Sequence, residues 1–265
     1  MEYDTILFEQ RDGIVYLTLN RPERANTINS QLAQDVLAAL DWIEADPACR
    51  VIILTGAGQR HFCGGADLRD PTLTRNVFST SDSATPRRDF ISAIESSRVP
   101  VIAAINGAAM GGGCEIALAC DVRVIADTAT IGLPEIRFGA LPAGGGTQRL
   151  PRLVGSGFAK EMIFSGLPWS PADALRIGLV NRVVATSELI STCEEMARVF
   201  IERAGYALKA AKTLINQGVE LPLKDALAFE RKVIREMATP EERRAAQEQA
   251  AASQKTYARI FSKPA

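Results

Sequence analysis

VIAAINGAAMGGGCEIALACDVRVIA, Val101 to Ala126, is the stretch that decides the fold. It opens with five apolar residues, Val101–Ile105, a short uninterrupted run of the kind found in a strand buried on both faces. A glycine-rich turn follows, then a helical pattern over Gly112–Cys120, then a second β-rich run, Asp121–Ala126. Strand, turn, helix and strand in that order fit parallel strands joined by a right-handed crossover.

The pattern extends toward the N-terminus. Val51–Leu54 is another apolar run leading into a glycine-rich loop, His61-Phe-Cys-Gly-Gly-Ala-Asp67. Before it, Ser30 starts a helical pattern with Leu32, Val36, Leu37, Leu40 and Ile43 on one face, ended by Asp46-Pro47. Thr5–Gln10 and Ile14–Asn20 flank Asp12-Gly13, a turn pair that supplies positive φ, and read as a β-hairpin. A polar excursion near Thr72–Pro86 is followed by a helix over Arg87–Ser97. This alternation predicts an α/β fold with a mainly parallel sheet and helices outside it.

Beyond about Gly144 the strand signal fades. Ser170-Pro-Ala-Asp173 marks a helix start, with Ser170 as N-cap and proline in the first turn. Leu189, Cys193, Met196 and Phe200 recur at helical spacing, as do Phe229, Val233 and Met237. The expected division is an α/β core over residues 1–200 and a helical C-terminal region over 201–265. The narrow apolar stripes of that tail suit either a cover over the core or a contact between subunits, and periodicity alone does not separate the two.

Composition removes several function classes. Thirty Lys+Arg against thirty-one Asp+Glu leave a formal charge of −1, so no global basic field recruits nucleic acid or an anionic membrane. Five cysteines, odd in number and without a C-x-x-C, fit reduced thiols in a cytoplasmic compartment better than disulfides or zinc. The single histidine, His61, excludes a metal site built on several histidines, and it reads as a surface loop residue. The first residues, Met1-Glu-Tyr-Asp4, are acidic and lack the apolar segment of a secretory signal. Val99–Cys114 is too short and too rich in glycine to span a bilayer.

The chemistry is expected at the two glycine turns. Neither has G-x-G-x-x-G or P-loop spacing, which excludes the dinucleotide and Walker readings. Each has the order strand, glycine turn, expected helix, which leaves backbone N–H groups outward and unpaired. Two such turns facing each other would form a two-donor oxyanion hole, although from spacing alone close helix–strand packing is the plainer explanation of the glycines. Glu115 falls in the first turn of the second helix and Glu135 twenty residues further on. Singly, each has a plain reading as a helix-dipole or solvated carboxylate. Asp67 and Asp121 read as caps or turn residues.

Four segments together go further. NGAAMGGGCEIALACD (Asn106–Asp121) and LPEIRFGALPAGGGTQRL (Leu133–Leu150) closely resemble the signature of the crotonase superfamily, the enoyl-CoA hydratase/isomerase proteins. CGGADL (Cys63–Leu68) resembles that family's G-A-D loop, and NRPERANTI (Asn20–Ile28) its N-R-P opening. The resemblance spans nearly the whole chain. It implies a core of repeated ββα units and an acyl-CoA substrate, with no metal or redox cofactor. It also implies a homotrimer or homohexamer whose helical C-terminal region serves in trimerisation or covers the active site. Carried over, the oxyanion donors would be the N–H groups of Ala66 and Gly112, and the catalytic pair Glu115 and Glu135. Both glutamates are kept, which favours hydration of a 2-enoyl-CoA. A Δ3-Δ2 enoyl-CoA isomerase using Glu135 alone and a non-catalytic acyl-CoA-binding subunit are the rival readings. Arg24, Ala25, Gly64, Ala66, Asp67, Leu68 and Arg69 match coenzyme A contacts, with Phe261 and Lys263 as weaker matches. Ala143 departs from the family's P-G-A-G-G, where a glycine N–H helps hold the catalytic water. Leu133 and Thr27 depart at positions that bear on substrate preference. The variable stretch Leu73–Phe90 is expected at the acyl end.

Overall fold

The computed structural model describes residues 2–71 and 89–252. The expected hairpin is present as β1 (Ile6–Arg11) and β2 (Ile14–Leu19), with Asp12 and Gly13 both at positive φ in the turn. A 3-10 turn, Pro22–Arg24, leads to α1 (Ser30–Ala45), capped by the Asn29 side chain on Leu32 N–H. Then come β3 (Val51–Gly56), β4 (His61–Cys63), α2 (Phe90–Glu95), β5 (Val101–Ile105), β6 (Ala108–Met110) and α3 (Gly112–Ala119). β7 (Val122–Ala126), β8 (Ile131–Gly132) and a 3-10 turn, Glu135–Phe138, follow. The remainder comprises α4 (Gly146–Val154), α5 (Ser156–Ser165), α6 (Pro171–Arg176), β9 (Arg182–Val184), α7 (Leu189–Ile201), α8 (Gly205–Gly218), α9 (Leu223–Glu236) and α10 (Pro240–Ala252).

Two sheets form where the sequence suggested one. The larger has the order β1-β2-β3-β5-β7-β9, parallel except for the β1–β2 hairpin. Every residue of β5 is buried, which explains its unbroken apolar run. α7 packs across β3, β5 and β7 through buried Leu189, Cys193 and Met196. The smaller sheet, β4-β6-β8, is also parallel. Its strands have only two or three residues, so no alternation was available to reveal them. β9, likewise short and half-buried, corrects the expectation that strands end before Gly144.

The helix expected over Arg87–Ser97 is shorter. Asp89 caps it by accepting from Ile91 and Ser92 N–H, and Ser96 ends it. Residues 73–88 of the variable stretch, and Phe261 and Lys263, lie outside the described residues. The pairing of α8 with α9 forms a helical hairpin whose apolar residues Ile215, Val219, Leu223 and Leu227 face outward.

Where β3 and β5 end, the Asn106 side chain joins them. It accepts from Gly56 N–H and donates to the Gly56 and Gly58 carbonyls at 2.9 Å each. The chain then passes from the large sheet into β6 beside β4. That crossing sets the site.

Candidate active site

β4 and β6 are neighbours, so the glycine turns at their ends emerge side by side. Gly65 (φ +96°) and Gly111 (φ +54°, ψ −122°) adopt backbone conformations that a Cβ would strain. A Cβ built on Gly65 would lie 3.4 Å from the Gly112 nitrogen, and one on Gly112 would lie 3.7 Å from the Ala66 nitrogen. The two amides therefore lie close together.

Their direction follows from strand pairing. Ile28 forms an isolated parallel bridge with Ala66, donating to the Gly65 carbonyl at 2.8 Å and accepting from Asp67 N–H at 2.7 Å. A parallel bridge uses the groups flanking Ala66, so the Ala66 N–H is turned away from Ile28. Gly112 is the first residue of α3 and has no intrahelical acceptor. Among the described residues neither amide has an acceptor within the protein. A helix directly after Cys63-Gly-Gly was expected; the bridge replaces it.

Two residues that sequence reasoning left unassigned hold this bridge. Asn26, fully buried and at φ +52°, accepts from Arg21 N–H and donates to the Ala57 and His61 carbonyls. Arg21 donates to the Thr27 carbonyl at 2.6 Å and pairs with Asp67 at 2.9 Å. That pairing holds the Asp67 carboxyl below the usual range. The Asn in the N-R-P-x-x-x-N spacing was the available signal for this lock.

Glu115 lies in the first turn of α3 and is 4 % exposed. Its Oε1 accepts from Gly146 N–H at 2.8 Å, at the N-terminus of α4, and the Gly144 backbone lies against the other oxygen, where an added Cβ would come within 2.6 Å of Oε2. Burial raises its pKa, and the Gly146 and Gly144 backbone and the Arg149 charge oppose that rise. Glu135 has the contrasting environment. Its Oε2 is buried without a hydrogen-bond partner among the described residues. Burial, reinforced by the Glu115 charge and opposed by its own backbone N–H, pushes its pKa up to about 7. A Cβ on Gly111 would approach Glu135 Oε1 to 3.0 Å, so Glu135 reaches the same turn that carries Gly112.

A cavity of about 650 Å³ lies beside the first turn, lined in part by Arg24, Ala25, Arg60, His61, Asp67 and Arg69. Four of the expected coenzyme A contacts are thus brought together. Gly64 instead donates to the Ala25 carbonyl at 2.8 Å, and Leu68 is an exposed surface residue. His61 belongs to β4 rather than a loop.

Residues 9–256 match the model of the enoyl-CoA hydratase/isomerase family. The chain belongs to the enoyl-CoA hydratase/isomerase family. It is 39 % identical over 248 residues to the short-chain-enoyl-CoA hydratase of Clostridium acetobutylicum, covering 92 % of this chain and 93 % of that protein. It is 36 % identical over 237 residues to the crotonyl-CoA hydratase of Syntrophomonas wolfei, covering 87 % and 88 %. Among solved structures it resembles an enoyl-CoA hydratase from Bacillus anthracis, with a TM-score of 0.83 and 34 % identity over 96 % of this chain and 99 % of that one. Membership of the enoyl-CoA hydratase/isomerase family implies an acyl-CoA substrate.

The departures from the family pattern are structurally mild. Ala143 is not among the non-glycine residues at positive φ, so its Cβ is accommodated without backbone strain. Leu133 is fully buried beside Gly146, where an added Cβ would meet its Cδ1 at 3.0 Å. No helix among the described residues is long and apolar enough to cross a membrane.

Proposed function

We propose that the protein is an enoyl-CoA hydratase, a hydro-lyase that adds water reversibly across the 2,3 double bond of a 2-enoyl-CoA to give a 3-hydroxyacyl-CoA. The observation that carries this reading is the unequal support of the two carboxyls. Glu115 accepts from the Gly146 backbone N–H, which favours its ionised form, whereas the buried Oε2 of Glu135 has no partner among the described residues, which favours a proton there.

In the hydration direction the Glu115 carboxylate takes a proton from water as the water oxygen bonds to C3. The π electrons move onto the thioester oxygen, where the Ala66 and Gly112 N–H groups stabilise the enolate. Each such donor is worth roughly 2.7–4 kcal/mol. Glu135 then gives its proton to C2. Dehydration reverses these roles, and a base and an acid suffice without a metal or redox cofactor. Arg24, Ala25 and Arg69 around the adjoining cavity would take the coenzyme A portion, with Gly64, Asp67 and Leu68 completing its loop.

The outward apolar residues of the α8–α9 hairpin support assembly as a homotrimer or homohexamer, and the buried reduced thiols support a cytoplasmic setting. A panel of 2-enoyl- and 3-enoyl-CoA thioesters tests the activity. Loss of conjugated-enone absorbance with gain of one water in product mass is expected. Conversion of 3-enoyl to 2-enoyl thioesters without water gain on any 2-enoyl-CoA would replace hydratase by isomerase.

A further inference from the structure

α4 is entered through three consecutive glycines, Gly144-Gly145-Gly146, the last of them its first residue; Gly146 N–H donates to Glu115 and Gly144 lies against the same carboxyl. A run of glycines has the widest backbone freedom of any tripeptide, so something outside it must fix the Gly146 amide. Arg149 does so geometrically. Its Nη1 donates to the Gly144 carbonyl at 2.8 Å. Its Nε and Nη2 hold Glu95 at 3.1 and 2.7 Å as a two-pronged pair, and Nη2 also donates to Ser92 Oγ at 3.1 Å. Ser92 in turn donates to Asp89, the cap of α2. Gly145 stands at φ +101°, and a Cβ there would collide with Arg149 Nη1, so the loop is shaped around the guanidinium.

We propose that Arg149 is a positioning residue: it ties the glycine loop to α2 and thereby keeps the Gly146 amide on the Glu115 carboxylate. The planar fork suits this task, because one guanidinium reaches a carbonyl and a carboxylate in fixed directions. Among the described residues, the charged and titratable groups within electrostatic reach of Glu115 are Arg149 from α4, Asp89 from the cap of α2, Glu135 from its 3-10 turn and the neighbouring Cys114 thiol. Arg149 is the cation of that set. Its consequence for catalysis rests on the proposed hydratase reading; its effect on the Glu115 carboxyl does not.

The test therefore has two readouts. The first is the titration of Glu115 in the resting protein, by ¹³C NMR of glutamate labelled at the side-chain carboxyl and assigned with Glu115→Gln. The second is the pH profile of hydration of crotonyl-CoA. Arg149→Met should move the Glu115 titration to higher pH. It should lower kcat at pH 7 by about 10–100-fold with KM changed less than about threefold, and move the acid limb of kcat upward in step. Arg149→Lys, which keeps charge without the fork, should restore only part of the titration and part of the rate; full restoration of both would make Arg149 a charge alone and overturn the positioning. An unmoved Glu115 titration and acid limb in a folded Arg149→Met protein would overturn the proposal. If that variant does not fold, Glu95→Gln loosens the fork with Arg149 in place; a smaller upward movement supports the proposal and none overturns it. A shifted titration in a protein that hydrates no thioester leaves the positioning intact and removes the hydratase reading.

Discussion

The N–H of Gly146 donates to Oε1 of Glu115 at 2.8 Å, from the first residue of a helix to a carboxyl in the first turn of another. An anion at a helix N-terminus is favoured by the unpaired amides and by the dipole. Glu135, near the same glycine turn, has no such support at Oε2 among the described residues. Two carboxyls that are chemically alike are thereby given different proton affinities, as a base and an acid sharing one substrate require.

Glu115→Gln and Glu135→Gln are each expected to lower turnover by about 10²–10⁴, the usual worth of one general acid–base group. Acyl-CoA binding should persist, because the Ala66 and Gly112 amides remain. Steady-state kinetics with calorimetric titration of a saturated acyl-CoA checks both halves. Near-normal hydration in either variant would remove that carboxyl from the mechanism.

Glu135 also makes stability depend on pH. Its pKa is about 7 in the folded protein against 4.5 for an ordinary glutamate, so between these values the folded state holds a proton that the unfolded state has lost. This contribution is fully present below the unfolded value and is lost as pH rises through about 7. Glu135→Gln should therefore raise Tm at pH 8 relative to the native protein and leave it nearly unchanged at pH 4.5. Calorimetric scans at the two pH values provide the check.

For activity the proton shared by the pair sets one limb common to both directions. Hydration uses the pair with Glu115 ionised and Glu135 protonated and should decline above about pH 7 as that proton is lost. Dehydration uses the same single proton placed on Glu115, and the addition of water releases no proton, so kcat/KM for dehydration should decline over the same interval. Initial rates in both directions across pH 5–9 distinguish this from a profile set by substrate binding alone.

Gly112→Ala probes the oxyanion donors. The new methyl would meet the flexible end of Ile28 at 2.7 Å and sit 3.7 Å from the Ala66 nitrogen. The chain can adjust Ile28, so folding should survive, but an oxygen seated between the amides would be displaced. A loss of about 10²-fold in kcat is expected, comparable to removing one donor.

Asn26→Ala should act on stability first. It removes the three hydrogen bonds of a buried side chain, to Arg21 N–H and to the Ala57 and His61 carbonyls, at a residue already at φ +52°. A loss of about 3 kcal/mol is expected from the unpaired groups left behind. Denaturant unfolding measures it.

Much of the large sheet was legible because β3, β5 and β7 are buried on both faces and read as apolar runs. The glycine turns and both glutamates were legible from their order along the chain. The small sheet was not, because Ala108–Met110 and Ile131–Gly132 are too short to carry a period and form only by pairing across the fold. Arg149, Asn26 and the buried Arg123, which donates to the Leu179, Ala117 and Cys120 carbonyls, were also hidden. Their partners are brought together by tertiary structure, and a lone polar residue in a sequence does not say what it will meet.

The central claim is that Glu115 and Glu135 serve one water on one face of an enoyl thioester. Product formed from a 2-enoyl-CoA in water labelled with both ¹⁸O and deuterium tests it most directly, read by mass spectrometry and NMR. The account requires ¹⁸O at C3 and deuterium at C2, added to the same face, with oxygen uptake suppressed in Glu115→Gln. Deuterium uptake without oxygen across every thioester tried would contradict it and assign the protein to proton transfer between carbons.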